Sequence, residues 1–279
     1  MTVRATTLPS GDSIPVLGMG TWHLGQGRHP REEEIEALRL GVELGMNLID
    51  TAEMYGDGAA EELIGEAIGS RRDEVFLVGK VLPHHADVRG TREACEASLR
   101  RLGTDHIDLY LLHWRGAIAL EETVAGFEAL REDGLIGHWG VSNFDLADLL
   151  EVRGIAGGAA VETDQVLYNL LHRGIEWDLL PWCQTHGLPV MAYSPLAQGR
   201  LAGHPVLRFI GGDHKATSTQ IALAWVLAHK GVCAIPEAGT PEHVRRNREA
   251  LDIELGADDL LKLDSAFEPP SGPVGLEVL

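Results

Sequence analysis

The chain has 279 residues, 44% of them hydrophobic, and a formal net charge of −19 from 23 basic and 42 acidic side chains. No apolar run approaches the roughly 18 residues of a membrane-spanning helix, and so large an acidic excess argues against nucleic acid and anionic membranes as partners. The cysteines Cys95, Cys183 and Cys233 form no close pair and the opening MTVRATTLPSGD lacks an apolar signal segment, so a reducing, cytoplasmic setting is expected.

Arg4–Leu8 and Ser13–Leu17 flank a Pro9-Ser10-Gly11-Asp12 turn and are predicted to form a hairpin. After it, short apolar or β-branched runs alternate with amphipathic stretches, the pattern of βα units around a parallel sheet. Eight strands are predicted: Leu17–Gly20, Met46–Asp50, Val75–Gly79, Asp108–Leu112, Gly137–Val141, Thr163–Val166, Pro189–Tyr193 and Val232–Ile235. The first helical stretch, EEEIEALRLGVELG, spaces Ile35, Leu38 and Val42 helically and carries its acids at the start, where the helix dipole favours them. Eight such units without a composition break suit a closed (β/α)8 TIM barrel better than an open sheet, with the hairpin before it and a helix and tail after it. Residues 1–279 are therefore expected to form one barrel domain, and a monomer.

In such barrels the chemistry gathers at the C-terminal ends of the strands. The stretch NLIDTAEMYG places Asp50 and Tyr55 just after the second strand, EVFLVGK ends the third on Lys80, and LYLLHW ends the fourth on His113 and Trp114. A phenol is a poor proton donor at neutral pH unless neighbours ease the release of its proton, as an ammonium would. A pocketed ammonium in turn needs a carboxylate, which gives Asp50, Tyr55 and Lys80 complementary parts. Lysine is scarce, with Lys80, Lys215, Lys230 and Lys262 against nineteen arginines. More polar residues fall on the same rim: Ser142 and Asn143, Gln165, and Tyr193 with Ser194. Taken singly, each has a plainer reading: Asp50 as a turn cap, Tyr55 as a loop aromatic, Lys80 as a solvated edge residue, His113 as a core histidine. His84 and His85 have no metal-ligand spacing and read as loop residues, so no metal is expected.

The segments GMGTW, NLIDTAEMYG, FLVGK, LYLLHW, HWGVSNF, DQVLYN, AYSPL and AIPE…HVRRN, in that order, resemble the aldo-keto reductase superfamily. The resemblance implies a (β/α)8 barrel that reduces aldehyde and ketone carbonyls with NADP(H) and lacks a Rossmann domain. It implies a tetrad of Asp50, Tyr55, Lys80 and His113 with Tyr55 as proton donor, and substrate walls from Trp22, Met54 and Trp114 beside Tyr55 and His113. For the cofactor it implies Gly20, Thr21, Trp22 and Asp50. Ser142, Asn143 and Gln165 would hold the carboxamide, Tyr193 the nicotinamide face, and Ser194, Leu196 and Gly199 the pyrophosphate. The adenosine end would meet Ile235, Pro236, Glu237, Ala238, His243, Arg246 and Asn247, with a helix beginning near Thr240-Pro241-Glu242.

One departure concerns specificity. Where the family pattern has a lysine, a serine and a later arginine for the 2′-phosphate, this chain has Glu237, Ala238 and His243. An acid beside a phosphate is repulsive, while its oxygens suit ribose hydroxyls, so a weakened NADPH preference and use of NAD(H) are expected. Arg245, Arg246 and Arg248 are near enough in sequence to reach a phosphate, or else form a solvated helix face. The segments Leu24–Arg31, Leu82–Gly90, Leu201–Ala216 and the tail Glu268–Leu279 read as loops that set substrate choice, the tail either folding over the barrel mouth or staying mobile. Two other functions remain open: a lyase forming a Schiff base on Lys80, and a slow, cofactor-sensing regulatory subunit.

Overall fold

The computed structural model of the chain describes residues 3–279. Met1 and Thr2, which begin the segment read as free of a signal sequence, lie outside the described residues. The strands β1 (Ala5–Thr7) and β2 (Ser13–Pro15) form the expected antiparallel hairpin. Then β3 (Met19–Gly20), β4 (Leu48–Asp50), β5 (Phe76–Val81), β6 (Ile107–Leu112), β7 (Ile136–Ser142), β8 (Val161–Leu167), β9 (Val190–Tyr193) and β10 (Val232–Ala234) pair in parallel in chain order. Helices lie between them: α1 (Arg31–Glu43), α2 (Ala59–Ile68), α3 (Val88–Leu102), α4 (Leu120–Glu132), α5 (Leu146–Gly154), α6 (Leu179–His186), α7 (Pro205–His214) and α8 (Ser218–Ala228). After β10 follow α9 (Pro241–Glu249) and α10 (Ala257–Ala266).

The sheet closes on itself. Leu17 bridges Ala234 and Gly20 bridges Glu237, both in parallel sense, and the Gly18 and Gly20 amides donate to the carbonyls of Ala234 and Pro236 at 2.9 and 3.1 Å. The seam needs glycine at position 20, because a Cβ there would sit 2.7 Å from the Ile235 carbonyl oxygen. Closure leaves the eight-stranded sheet without an edge strand among the described residues and fixes each of its strand ends on one of two rims.

Side chains alternate along a strand, so every second residue points into the barrel. Leu48, Val78, Leu111, Met191 and Cys233 form one apolar cluster there, joined from below by Leu8 and Ile14 of the hairpin. The hairpin turn is pinned to that lower end, where Ser10 N donates to Glu162 at 3.0 Å and His138 lies 2.7 Å from Asp12. Two residues further on from the apolar layer stand Asp50, Lys80, His113 and Tyr193, so the same face that is greasy in mid-barrel is ionisable at the mouth. Outside the sheet, the larger apolar cluster packs helix stripes such as Leu63, Ile64 and Ala67 against the strands' outward faces.

Two expectations need correction. Leu201–Ala216, read as a loop, contains the ten-residue helix α7, which Pro205 starts at a position needing no amide and which buries Leu207, Ile210 and Gly211. Leu82–Gly90 is likewise shorter than read, since Pro83–His85 makes a 3-10 turn and α3 begins at Val88, with Asp87 accepting from the Gly90 amide at 2.7 Å. The tail takes the folded-over alternative: His172 meets Glu277 at 2.8 Å, and Leu279 lines the cavity at the barrel mouth.

Candidate active site

The cluster forms where β4 and β5 end. The Thr51 amide donates to Val78 O at 2.8 Å, prolonging the ladder past Asp50, and Thr21 Oγ donates to Asp50 O at 2.9 Å. The chain then turns through Gly56, Asp57 and Gly58, all left-handed with φ of 58, 52 and 94°, before α2 starts. Glycine suits two of these three positions, and the turn brings the Tyr55 phenol back over the strand ends.

Lys80 is fully buried and its Nζ has three acceptors: Asp50 Oδ2 at 2.7 Å, Thr51 O at 2.8 Å and the Tyr55 hydroxyl oxygen at 3.2 Å. Three acceptors match the three N–H donors of an ammonium. Asp50 keeps its other oxygen for Gln165 Nε2 at 2.7 Å. Burial pushes the Asp50 carboxyl up and the Lys80 amine down, and each partner opposes the shift of the other. The Tyr55 phenol is held well above its usual 10, first by burial and then by the charges of Asp50 and Glu237. Burial and the acids outweigh the pull of Lys80 at rest, so the phenol stays protonated while its oxygen accepts the Lys80 hydrogen bond.

His113 completes the group, its ring edge-on to Tyr55 at 5.8 Å between centroids. Burial, then the Lys80 charge, lowers its pKa to about 3, so the imidazole is neutral at physiological pH. Its Nδ1 is buried without a hydrogen-bond partner among the described residues. Beside it, Asn143 takes a left-handed φ of 60° and spends its side chain on the protein: Nδ2 donates to His113 O and Ser142 Oγ at 3.1 and 3.2 Å, and Oδ1 accepts from Tyr193 at 2.9 Å. Ser142 Oγ donates to Gln165 O at 2.8 Å. Burial, ahead of the other influences on it, pushes the Tyr193 hydroxyl up to about 12, so it too is a neutral donor.

A cavity of about 400 Å³ opens over this cluster. Of the residues expected from sequence, Gly20, Thr21, Trp22, Asp50, Met54, Tyr55, His113 and Trp114 line it. So do Ser142, Asn143, Gln165, Tyr193, Ser194, Leu196, Gly199, Ile235, Pro236 and Glu237. Lys80 lies beneath the lining, and Trp22, Met54 and Trp114 are exposed to the opening. Ala238, His243, Arg246 and Asn247 do not line the cavity: Ala238 and Asn247 are buried, and Arg246 pairs with Glu242 along α9. The helix start is where it was expected, with Thr240 accepting from the His243 amide at 3.3 Å.

Sequence reasoning did not assign His23, Arg28, Pro195, Gln198 or Thr219 to the wall; Arg28 lies in the loop read as setting substrate choice, and Leu279 belongs to the tail read as able to fold over the mouth. It also missed the contact of His23 Nδ1 with Glu237 Oε2, 2.8 Å long, which crosses the seam between the loops after β3 and β10. Residues 214 apart meet there only because the barrel closes, and no local pattern announces it.

A closed eight-stranded α/β barrel whose C-terminal mouth holds a buried Asp–Lys pair, a protonated tyrosine and a neutral histidine defines a barrel enzyme with acid–base machinery at its mouth. The chain belongs to the Aldo/keto reductase family, whose model matches residues 16–268. It is 51% identical over 276 residues to the methylglyoxal reductase YeaE of Escherichia coli (strain K12), covering 97% of each chain. It is 33% identical over 261 residues to the glyoxal reductase of Bacillus subtilis (strain 168), covering 92% of this chain and 91% of that one. Among solved structures, an aldo-keto reductase from Klebsiella pneumoniae in complex with NADPH superposes with a TM-score of 0.97 at 48% identity, over 100% of both chains.

Proposed function

We propose that the chain reduces small aldehyde and ketone carbonyls to alcohols with a reduced nicotinamide dinucleotide, and that 2-oxoaldehydes are its favoured substrate class. The observation that carries the reading is the hydrogen bond from Lys80 to the Tyr55 oxygen at 3.2 Å. A phenol that accepts from an ammonium on one side has its own proton left to give on the other, toward the cavity. The names of the relatives above support the substrate class.

The residues present fit a nicotinamide dinucleotide. The cavity wall runs from His113 and Trp114 past Tyr193 to Gly199, Thr219 and Glu237, long enough in the fold to join the tetrad to the seam. Ser142 and Gln165 face it, and Gln165 Oε1, which has no hydrogen-bond partner among the described residues, is available as an acceptor for an amide. Asn143 also fixes Tyr193 and the His113 carbonyl, and the second lone pair of its Oδ1 is left for an amide donor from the cavity. When bound, the reduced nicotinamide supplies the hydride to the carbonyl carbon.

The chain's own side chains do the rest. Tyr55 gives its proton to the carbonyl oxygen as negative charge develops there, and Lys80 stabilises the phenolate left behind. Asp50 keeps Lys80 charged and in place. His113, neutral and with Nδ1 enclosed, presents Nε2 as the donor that orients the carbonyl. Trp22, Met54 and Trp114 supply an apolar, open approach suited to small substrates of varied shape. A Schiff-base lyase would need Lys80 neutral and accessible, whereas its amine is enclosed and surrounded by three acceptors.

For the dinucleotide we propose that both NADPH and NADH are accepted, because Glu237 replaces the phosphate-binding lysine while its hydrogen bond to His23 holds the carboxylate to one side. The test of the reading is Tyr55→Phe. Turnover of methylglyoxal, followed at the reduced-nicotinamide absorbance band, is expected to fall by roughly 10²- to 10⁴-fold with dinucleotide affinity unchanged. Near-normal kcat in that variant would remove Tyr55 as proton donor.

A further inference from the structure

We propose that Arg28, in the loop between β3 and α1, is the cation that takes the adenosine 2′-phosphate of NADPH; the assignment rests on the nicotinamide-dependent reading above. A chain of net charge −19 must neutralise a polyanionic ligand locally. The charged groups around the cavity leave one candidate. Asp50 is bonded to Lys80 and Gln165, Glu237 is bonded to His23, and His113 is neutral. Arg28 lines the same cavity, is exposed, and has no hydrogen-bond or ion-pair partner among the described residues.

Its placement selects the adenosine end. The next residue, His29, packs on Gly239, where a Cβ would come within 2.5 Å of the His29 ring. That contact lays the Arg28 segment against the Glu237–Thr240 turn leading into α9. A larger residue at 239 would have to displace the His29 ring from this contact. Arg246 is tied to Glu242, and neither it nor Arg245 lines the cavity, so α9 does not supply the charge itself. A guanidinium meets a phosphate with paired N–H donors, which a lone helix terminus does not provide. The departure at Glu237 is thereby answered from the opposite side of the seam, with His23 holding the carboxylate aside.

The experiment is equilibrium binding of NADP⁺ and NAD⁺ to the purified wild type, Arg28→Ala and Arg28→Lys by calorimetry. Circular dichroism serves as the check on folding. Loss of one charge-assisted phosphate contact is expected to weaken NADP⁺ by roughly tenfold in Arg28→Ala, with NAD⁺ changed by less than about twofold. Arg28→Lys is expected to recover most of the loss, and adenosine 2′,5′-bisphosphate is expected to compete less well against the Ala variant. An equal loss for both dinucleotides would move Arg28 to the pyrophosphate and overturn the assignment, as would unchanged affinities. Failure of the wild type to bind either dinucleotide would instead bring down the reading beneath it, and the assignment with it.

Discussion

Replacing His113 by Asn should make the protein's stability less sensitive to acid, by an amount that follows from burial. In the folded chain the imidazole has a pKa of about 3, set first by burial and then by Lys80, against an ordinary value of 6.5. The folded value is depressed, so the histidine's contribution is fully present above 6.5 and is lost as pH falls from there toward 3. At pH 5 nearly every unfolded chain carries the proton and nearly no folded chain does, which amounts to about 2 kcal/mol against folding. At pH 7 the same term is only on the order of 0.2 kcal/mol. The pH 5 figure depends on the unfolded pKa and the solution pH, and hardly at all on how far below 4 the folded value lies. Urea denaturation of wild type and His113→Asn at pH 7 and pH 5 gives the four free energies needed. Whatever the substitution costs in packing cancels between the two pH values. The wild type should lose about 2 kcal/mol more than the variant over that interval. Equal losses in the two proteins would show that the folded imidazole protonates freely, and the neutral donor assigned to His113 would fall with it.

Two further substitutions test charges that nothing local predicts. Glu237→Lys breaks the pairing with His23 and adds a cation at the seam, so calorimetry should show NADP⁺ binding tighter by roughly tenfold; unchanged affinity would mean Glu237 exerts no repulsion in the native protein. Asp164 is fully buried on β8, and burial, offset in part by the Phe144 amide, raises its carboxyl well above the usual range. A raised folded pKa favours folding below the unfolded pKa and loses that advantage as pH rises. Asp164→Asn should therefore have the higher urea midpoint at pH 7 and lose its lead toward pH 4, and a lead independent of pH would refute the buried, protonated acid.

Strand order and the rim were legible because both depend on local periodicity. An apolar run ending in Asp50, Lys80 or His113 states a strand, its direction and its polar end together, and parallel pairing in chain order then puts those ends side by side. Strand limits shifted by one or two residues, as at β5, which runs through Lys80 to Val81. Periodicity does not record where the ladder stops once neighbours also contribute hydrogen bonds. The segment of α7 hid its helix because Gly211, Gly212 and the polar residues after them resemble loop composition and cut the apolar spacing of Val206, Leu207, Phe209 and Ile210 off after little more than one turn. The His23–Glu237 contact and the approach of His29 to Gly239 were out of reach for a different reason. They exist only across the closed seam, between the first and last strands of the barrel, and no spacing along the chain encodes them.

The tetrad's electrostatics and its rigidity have a common origin in the barrel's register. Each ionisable group at the mouth stands two residues past an apolar one: Asp50 past Leu48, Lys80 past Val78, His113 past Leu111. The apolar layer beneath removes water from these groups, which raises the Asp50 carboxyl and lowers the Lys80 amine and the His113 imidazole. A buried lysine without partners would lose its proton, so the arrangement holds only because Asp50, Thr51 O and the Tyr55 oxygen are delivered to it by β4 and the turn that follows. Desolvation that keeps Tyr55 protonated at rest also strengthens the pull of Lys80 once a phenolate forms, because charges interact more strongly where water is excluded. On the proposed reading, the floor of the barrel thus keeps the proton on Tyr55 until a carbonyl oxygen can take it, and the lysine beside it stabilises the phenolate left.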